Sequence, residues 1–187
     1  ATARVVKRYL GDLPTPDGQL AAVTQMMREW DGTLAADSAA AAVYEVFMRR
    51  IVRLTLSHRL GALAIQYAGK GPTPLLASKT ILGHRSWEWM QSTLADPSSH
   101  WFDLGQGETR DDVMRLALDE TVAFLRAELG PQIDDWAWGK LHTLTYGHLL
   151  GRVSPLDGVF NRGPYPMGGD DHTLWATGAN THDLACD

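Results

Sequence analysis

Apolar residues recur at intervals of three and four along most of the first 130 positions, the spacing of one face of an α-helix. The first such stripe predicts a helix over residues 20–30, with Asp17 as its N-cap and Asp31-Gly32 as its stop. A longer stripe predicts a second helix over residues 38–60, ended by a glycine. The beginning of the chain is therefore predicted to be helical.

The pattern predicts further helices and an exposed basic surface. Three arginines fall on the polar side of the second helix, where we expect them to face solvent: Arg49, Arg50 and Arg53. Two shorter helical segments are predicted around residues 75–82 and 87–94. Thr109, followed three residues later by Asp112, has the spacing of a capping box and opens a strong helix that runs to residue 129.

After Pro131 the helical periodicity is replaced by glycine, proline and short alternating stretches. Residues 141–145 predict a short strand, and Ser154-Pro155 and Gly163-Pro164 predict turns. We predict a helical region over 1–130 and a Gly/Pro-rich extended region with short strands over 131–187. Two or three short strands leave sheet edges exposed, so the two regions are predicted to form one piece of a larger α+β domain.

Composition narrows the class of protein. The 187 residues are 44% hydrophobic and 21% charged, as in globular proteins, and the net charge of −5 argues against nucleic-acid binding through a basic surface. The single cysteine, Cys186, cannot form an intrachain disulfide, and no apolar run has the length of a membrane span. Because the chain starts at Ala1, we expect a processed product or an excised piece.

The residues alone suggest two kinds of reactive site, a metal centre and a serine–histidine pair. Four histidines and three aspartates lie in the last third of the chain: His142, His148, His172, His182, Asp170, Asp171 and Asp183. Their spacing matches no metal-binding motif, so structural polar contacts are favoured and zinc ligation is a weaker alternative. Ser57-His58 is a serine–histidine pair, but it falls on a predicted helix and no Gly-x-Ser-x-Gly motif is present.

Three blocks, in order along the chain, resemble the penicillin acylase (penicillin amidase) family of N-terminal-nucleophile hydrolases. They are Trp30-Asp31-Gly32 with Ala36-Asp37-Ser38 and Tyr44; Trp136–His142 with His148; and Phe160–Pro166 with Gly168-Gly169-Asp170. The resemblance implies an αββα fold and a self-cleaving precursor. It also implies a serine at the start of the large chain that is the nucleophile and, through its own α-amine, the base.

The blocks resemble the later half of the family's large chain, so no catalytic residue and no metal ligand is assigned to this segment. The resemblance implies that the family's calcium site lies outside it. The implied partners are the remainder of the precursor (the small chain and the rest of the large chain) and a small-molecule amide such as a penicillin or an acyl-homoserine lactone, with no nucleic acid. A periplasmic or secreted location is favoured by the resemblance only. The alternative is a non-catalytic helical interaction module derived from the family.

Within this resemblance, nine residues receive structural roles: Trp30, Asp31, Asp37, Ser38, Trp138, His142, Asn161, Gly169 and Asp170. We expect Asp37 and Ser38 to anchor the second helix after the Asp31-Gly32 turn. Trp138 and His142 are expected to bridge the helices to the sheet. Asn161 is expected to set a turn with Gly163 and Pro164, and Gly169-Asp170 to end the next turn.

Overall fold

A computed structural model of the chain describes residues 2–14, 18–69, 82–170 and 173. Its α-helices are α1 (Thr2–Asp12), α2 (Gln19–Glu29), α3 (Ala39–Leu60), α4 (Ala64–Tyr67), α5 (Leu82–Ala95), α6 (Arg110–Leu129), α7 (Trp138–Leu141) and α8 (Asp157–Phe160). Short 3-10 helices cover Gly61–Leu63, His100–Phe102, Ile133–Asp135 and Leu149–Arg152. The strands are β1 (Thr143–Tyr146) and β2 (Arg162–Pro166).

Helix α3 is the centre of the core. Every residue from Ala40 to Arg49 is buried, and α1, α2, α5, α6 and α7 all contact this helix. The Ser38 hydroxyl accepts a hydrogen bond from the amide of Ala41 (3.1 Å), which satisfies one of the free N–H groups of the first turn. At the other end Gly61 adopts a positive φ of 52°. The helix predicted over residues 38–60 is confirmed.

The other predicted helices are found with shifted boundaries. The N-cap position of α2 is Gly18, which adopts a φ of 100° suited to glycine, rather than the predicted Asp17. Helix α5 contains the predicted segment 87–94 but begins at Leu82. The capping box of Thr109 and Asp112 opens α6 as predicted. Asp17 and all but the last residue of the predicted segment 75–82 lie outside the described residues.

The prediction that three arginines of α3 face solvent is wrong. Arg49 is buried beside Glu45 on the same helix. Arg50 is partly buried, with its Cζ 5.2 Å from the centre of the Phe124 ring, and Arg53 pairs with Glu120 at 2.6 Å. Both Phe124 and Glu120 belong to α6. The packing of α6 against α3 therefore partly covers the side of α3 that carries Arg50 and Arg53, which the sequence pattern predicted to be exposed.

The two strands form a small antiparallel sheet, in which Thr143 lies opposite Pro166 and Leu144 opposite Tyr165. The predicted turn at Gly163-Pro164 is wrong, because both residues lie within β2. Gly163 has a φ of 117°, and a Cβ there would lie 2.5 Å from the carbonyl oxygen of Leu144. Because Gly163 has no side chain, β1 and β2 can lie close together where their pairing is irregular, between Leu144 and Tyr146.

The described residues thus form a helix-rich body with a short two-stranded sheet, which fits the predicted α+β class. The predicted turn at Ser154-Pro155 is present. Among the described residues, none of the helices combines the length and the hydropathy needed to cross a membrane.

Candidate functional site

Residues 34–38, the irregular segment between α2 and α3, are the meeting point of the three sequence blocks. Three carbonyl oxygens of this segment accept backbone hydrogen bonds from distant residues: Ala36 from Gly139 (2.6 Å), Ser38 from Trp138 (3.2 Å) and Leu34 from Gly169 (2.7 Å). Blocks that are far apart in the sequence are therefore joined at one place by main-chain contacts. We call this assembly, residues 34–38 with 138–142 and 167–170, the junction.

The last block can approach residues 34–38 closely because position 168 is a glycine. A Cβ on Gly168 would lie 2.6 Å from the carbonyl oxygen of Leu34 and 3.3 Å from the amide nitrogen of Ala36. Any larger residue would therefore push residues 167–170 away from residues 34–38. Gly168 of the Gly-Gly-Asp sequence therefore allows a close contact between two main-chain segments. Gly169-Asp170 was expected to end a turn, but these residues lie in a segment without regular secondary structure.

Trp138 fills the centre of the junction. Its side chain is 0% exposed, and its indole N–H donates a hydrogen bond to the carbonyl oxygen of Gly169 (2.9 Å). The ring lies 5.0 Å from the ring of His142, which is also buried. The His142 amide donates to the Trp138 carbonyl (2.8 Å), and the His142 carbonyl accepts from the amide of Met167 (2.9 Å). Trp138 and His142 therefore connect the helical body to the end of β2.

A buried ion pair lies beside this tryptophan. Arg49 Nη2 is 3.0 Å from Glu45 Oε2, and the two side chains are 7% and 0% exposed. The guanidinium carbon of Arg49 is 6.0 Å from the centre of the Trp138 ring. Such a pair is costly to bury and even more costly to break, since removing one partner leaves an uncompensated charge.

The pKa of the Tyr44 phenol is shifted by burial and by charged residues of the same region. Burial raises the pKa of its phenol far above the ordinary value, and the negative charges of Glu45 and Asp170 raise the pKa further. The positive charge of Arg49 acts in the opposite direction. The phenol therefore stays protonated at neutral pH.

The first block forms a tight turn at the edge of the junction. The Asp31 carboxylate accepts hydrogen bonds from the amide (2.7 Å) and the hydroxyl (2.8 Å) of Thr33, and these bonds lower the pKa of Asp31. The indole N–H of Trp30 donates to the Thr33 carbonyl (3.0 Å), and its ring lies 5.4 Å from Tyr44. Asp37 is exposed in the following turn, so its anchoring role stays a prediction.

Asn161 lies outside the junction. Its side-chain oxygen accepts a hydrogen bond from the His148 amide (2.9 Å), and its side-chain nitrogen donates to the Gly151 carbonyl (3.3 Å). The expectation that Asn161 sets a turn with Gly163 and Pro164 is therefore corrected. Its amide instead holds residues 148–151 against the start of β2, where no periodicity of the sequence indicated a contact.

Replacing Asn161 with alanine is expected to lower the free energy of unfolding of the full-length protein by about 0.5–1.5 kcal/mol, because two main-chain groups lose a partner that water can partly replace. His142→Ala is expected to cost about 1–3 kcal/mol, since it empties a buried position beside Trp138. Urea denaturation measures both effects. Asn161→Asp keeps the acceptor for the His148 amide but replaces the donor to the Gly151 carbonyl with a second acceptor, so it should recover only part of the lost stability. Loss of turnover at an unchanged melting temperature would contradict these structural roles.

Sequence reasoning missed the Glu45–Arg49 pair. The available signal was a charge inside an otherwise apolar run, residues 39–48, with the opposite charge four positions later on the same helix. Such a pair is normally read as exposed, whereas here the packing of other elements against α3 buries it.

The serine–histidine pair considered from the sequence does not form a hydrolytic pair in the structure. Ser57 and His58 are exposed neighbours on α3, and adjacent helical residues do not face each other. Among the described residues, no group of three or more His, Cys, Asp and Glu side chains could hold a metal ion. His172, His182, Asp171, Asp183 and Cys186 lie outside the described residues. The contacts observed at the junction are structural, since they join the segment before α3 to α7 and to the residues that follow β2.

Comparison with known proteins gives a consistent set of relatives. The family model described as Penicillin amidase matches residues 1–186. Acyl-homoserine lactone acylase QuiP from Pseudomonas aeruginosa is 29% identical over 159 residues, 78% of this chain and 18% of the relative. The proteins of the same name from Pseudomonas syringae pv. syringae and Pseudomonas putida are 29% and 28% identical, over 94% and 96% of this chain and 21% and 22% of the relatives.

The chain thus spans about a fifth of the length of these relatives. The match to the family model extends over nearly every residue of the chain, and it includes all three blocks that meet at the junction. This chain belongs to the penicillin amidase family.

Proposed function

We propose that this chain is part of an amidohydrolase that cleaves a linear amide into a carboxylic acid and an amine. The observation that carries the proposal is the match to the penicillin amidase family over residues 1–186, together with relatives named acyl-homoserine lactone acylase. The proposed substrates are N-acyl compounds, with acyl-homoserine lactones first and the side-chain amide of a β-lactam second. A peptide bond in a folded protein is not the proposed target.

The nucleophile in this proposal is a serine outside the segment. Its hydroxyl oxygen attacks the amide carbonyl while the serine's own α-amine accepts the hydroxyl proton, and that proton then passes to the leaving amine. Water next attacks the resulting ester, which releases the acid and restores the hydroxyl. An α-amine suits this task because its ordinary pKa of about 8 is close to neutral pH.

The proposed contribution of this chain is structural support for that site. In an αββα fold, the helical body would form part of one outer layer, and β1 and β2 would belong to a sheet that the rest of the protein completes. The junction supports this assignment because its hydrogen bonds fix the position of the helices relative to the end of β2. By itself the segment is proposed to be inactive, and the family's calcium site is proposed to lie elsewhere.

The test is expression of the complete gene, followed by intact mass, N-terminal sequencing and an assay for free homoserine lactone or 6-aminopenicillanic acid. We expect two chains, the larger starting with serine, and release of the amine from an acyl-homoserine lactone. Replacing that serine with alanine should abolish both processing and hydrolysis. A single unprocessed chain that hydrolyses neither substrate would overturn the proposal and favour the helical interaction module.

A further inference from the structure

Two Asp-Gly pairs lie wholly within the described residues, and their surroundings differ. Asp31-Gly32 lies between α2 and α3, and Asp157-Gly158 opens α8. In an Asp-Gly pair the main-chain nitrogen of the glycine reaches the aspartate carboxyl group with the least obstruction, because glycine has no side chain and its main chain is flexible. Such a pair is therefore a candidate for the isomerisation of aspartate to isoaspartate.

The isomerisation needs no reagent other than water. The glycine amide nitrogen attacks Cγ of the aspartate, and its proton leaves together with the hydroxyl of the protonated carboxyl group as water, which gives a cyclic succinimide. Water then adds to one of the two ring carbonyl groups. Addition at Cγ restores aspartate, whereas addition at the main-chain carbonyl carbon gives isoaspartate. The composition is unchanged, but the main chain now runs through Cβ and Cγ and is longer by one methylene group.

The surroundings of Asp157-Gly158 are open to this reaction. Both residues are exposed, and a Cβ built on Gly158 would contact nothing within 4 Å outside its own stretch of the chain. Helix α8 has only four residues, and a single helical turn is costly to nucleate and therefore opens easily. Opening is required, because the helical main chain holds the glycine nitrogen away from Cγ. Exposure, free space and weak local structure thus coincide at this pair.

The surroundings of Asp31-Gly32 oppose the same reaction. The Asp31 carboxylate accepts hydrogen bonds from the amide (2.7 Å) and the hydroxyl (2.8 Å) of Thr33, which fix its orientation. These bonds lower the pKa of Asp31, so the protonated carboxyl group, the form that loses water, is scarcer there. The neighbouring Trp30 is buried, and its indole N–H donates to the Thr33 carbonyl (3.0 Å). The turn that contains this pair is therefore held on both sides.

We propose that Asp157-Gly158 is a modification site, at which aspartate isomerises to isoaspartate as the protein ages, and that Asp31-Gly32 resists the same change. The two pairs are identical in sequence, so the difference between them comes from the contacts and the exposure of each. The inference does not depend on the proposed function, because the rearrangement is spontaneous and needs no active site.

Isomerisation at position 157 has a structural consequence. The main-chain carbonyl of Asp157 accepts a hydrogen bond from the Asn161 amide (3.0 Å), and the Asn161 side chain in turn bonds to His148 and Gly151. In isoaspartate the carbon of that carbonyl belongs to a free carboxylate outside the main chain, so the bond that ends α8 loses its geometry. Isomerisation should therefore loosen the attachment of residues 148–151 to the start of β2.

The experiment is ageing of the full-length protein, expressed from the complete gene, at physiological temperature and neutral pH. Digestion and electron-transfer mass spectrometry then distinguish isoaspartate from aspartate by the fragments cleaved between Cα and Cβ. We expect isoaspartate to accumulate with time at position 157 and to stay at its starting level at position 31, which is the matched control within the same molecule. No accumulation at position 157, or equal accumulation at both positions, would overturn the proposal.

The variant Gly158→Ala tests the site and its consequence together. Its Cβ enters free space at a helical position, so the protein should fold normally, while the obstructed nitrogen should form several-fold less isoaspartate at position 157. Hydrogen exchange at the His148 amide should then be faster in the aged native protein than in the aged variant. Undiminished isomerisation in the variant would contradict the proposed site, and equal exchange in the two aged proteins would contradict the loosening.

Discussion

Replacing Arg49 with methionine is expected to lower the free energy of unfolding of the full-length protein by about 3–5 kcal/mol, the usual cost of breaking a buried ion pair. The change leaves the Glu45 carboxylate, which is 0% exposed, without the guanidinium 3.0 Å away. It also removes the positive charge beside the Trp138 ring. Urea denaturation, with the slope checked for two-state behaviour, measures the effect.

Two controls separate the ion pair from the loss of packing. The double variant Glu45→Gln with Arg49→Met removes both charges, so it should recover much of the stability lost in the single variant. Arg53→Met breaks the pair with Glu120, whose side chains are 35% and 30% exposed, and should cost only about 0.2–1 kcal/mol. A double variant as unstable as the single one would show that the buried charge was not the cause.

Replacing Trp138 with alanine is expected to lower the free energy of unfolding by about 3–5 kcal/mol, because it removes a fully buried indole from the centre of the junction. Trp138→Phe keeps most of the ring volume but leaves the Gly169 carbonyl without its donor, at a cost of about 1–3 kcal/mol. Hydrogen exchange then gives a local readout. The Gly169 amide, which donates to Leu34, should exchange faster in the Trp138→Phe protein.

Trp136→Phe is the matched control for this second prediction. Trp136 is equally buried, and its indole N–H donates to the Gly130 carbonyl (2.8 Å), at the end of α6 rather than at the junction. Trp136→Phe should lower the free energy of unfolding by a similar amount. The hydrogen-exchange protection of the Gly169 amide should then fall only as far as the free energy of global unfolding falls. Equal loss of Gly169 protection in both variants would contradict the specific role of Trp138.

The helices were predictable because local signals specify them. The hydroxyl of Ser38 and the capping box of Thr109 and Asp112 fix the starts of α3 and α6, and these interactions involve residues three positions apart. The site was predictable only in part. Most residues of the junction were identified by resemblance, although Leu34 was not. Their contacts could not be predicted, because they join residues that are far apart in the sequence.

The failures have the same physical origin. Gly163-Pro164 has the composition of a turn, yet the pairing with Leu144 draws it into a strand. Arg49 follows the helical pattern of a solvated residue, yet it is buried, with its guanidinium carbon 6.0 Å from the centre of the Trp138 ring. In both cases tertiary packing overrides the local preference, and the overriding contact comes from a different region of the chain.

The main-chain bonds between residues 34–38 and residues 138, 139 and 169 also set an order for the formation of the native structure. Contacts between distant positions close a large loop, and the entropy of closing it must be lost before the bonds are gained. Helices can form as soon as their own residues leave the ribosome, but the junction must wait until residue 169 has been synthesised. A chain on a ribosome that stalls before residue 169 could therefore contain helices but not the complete junction.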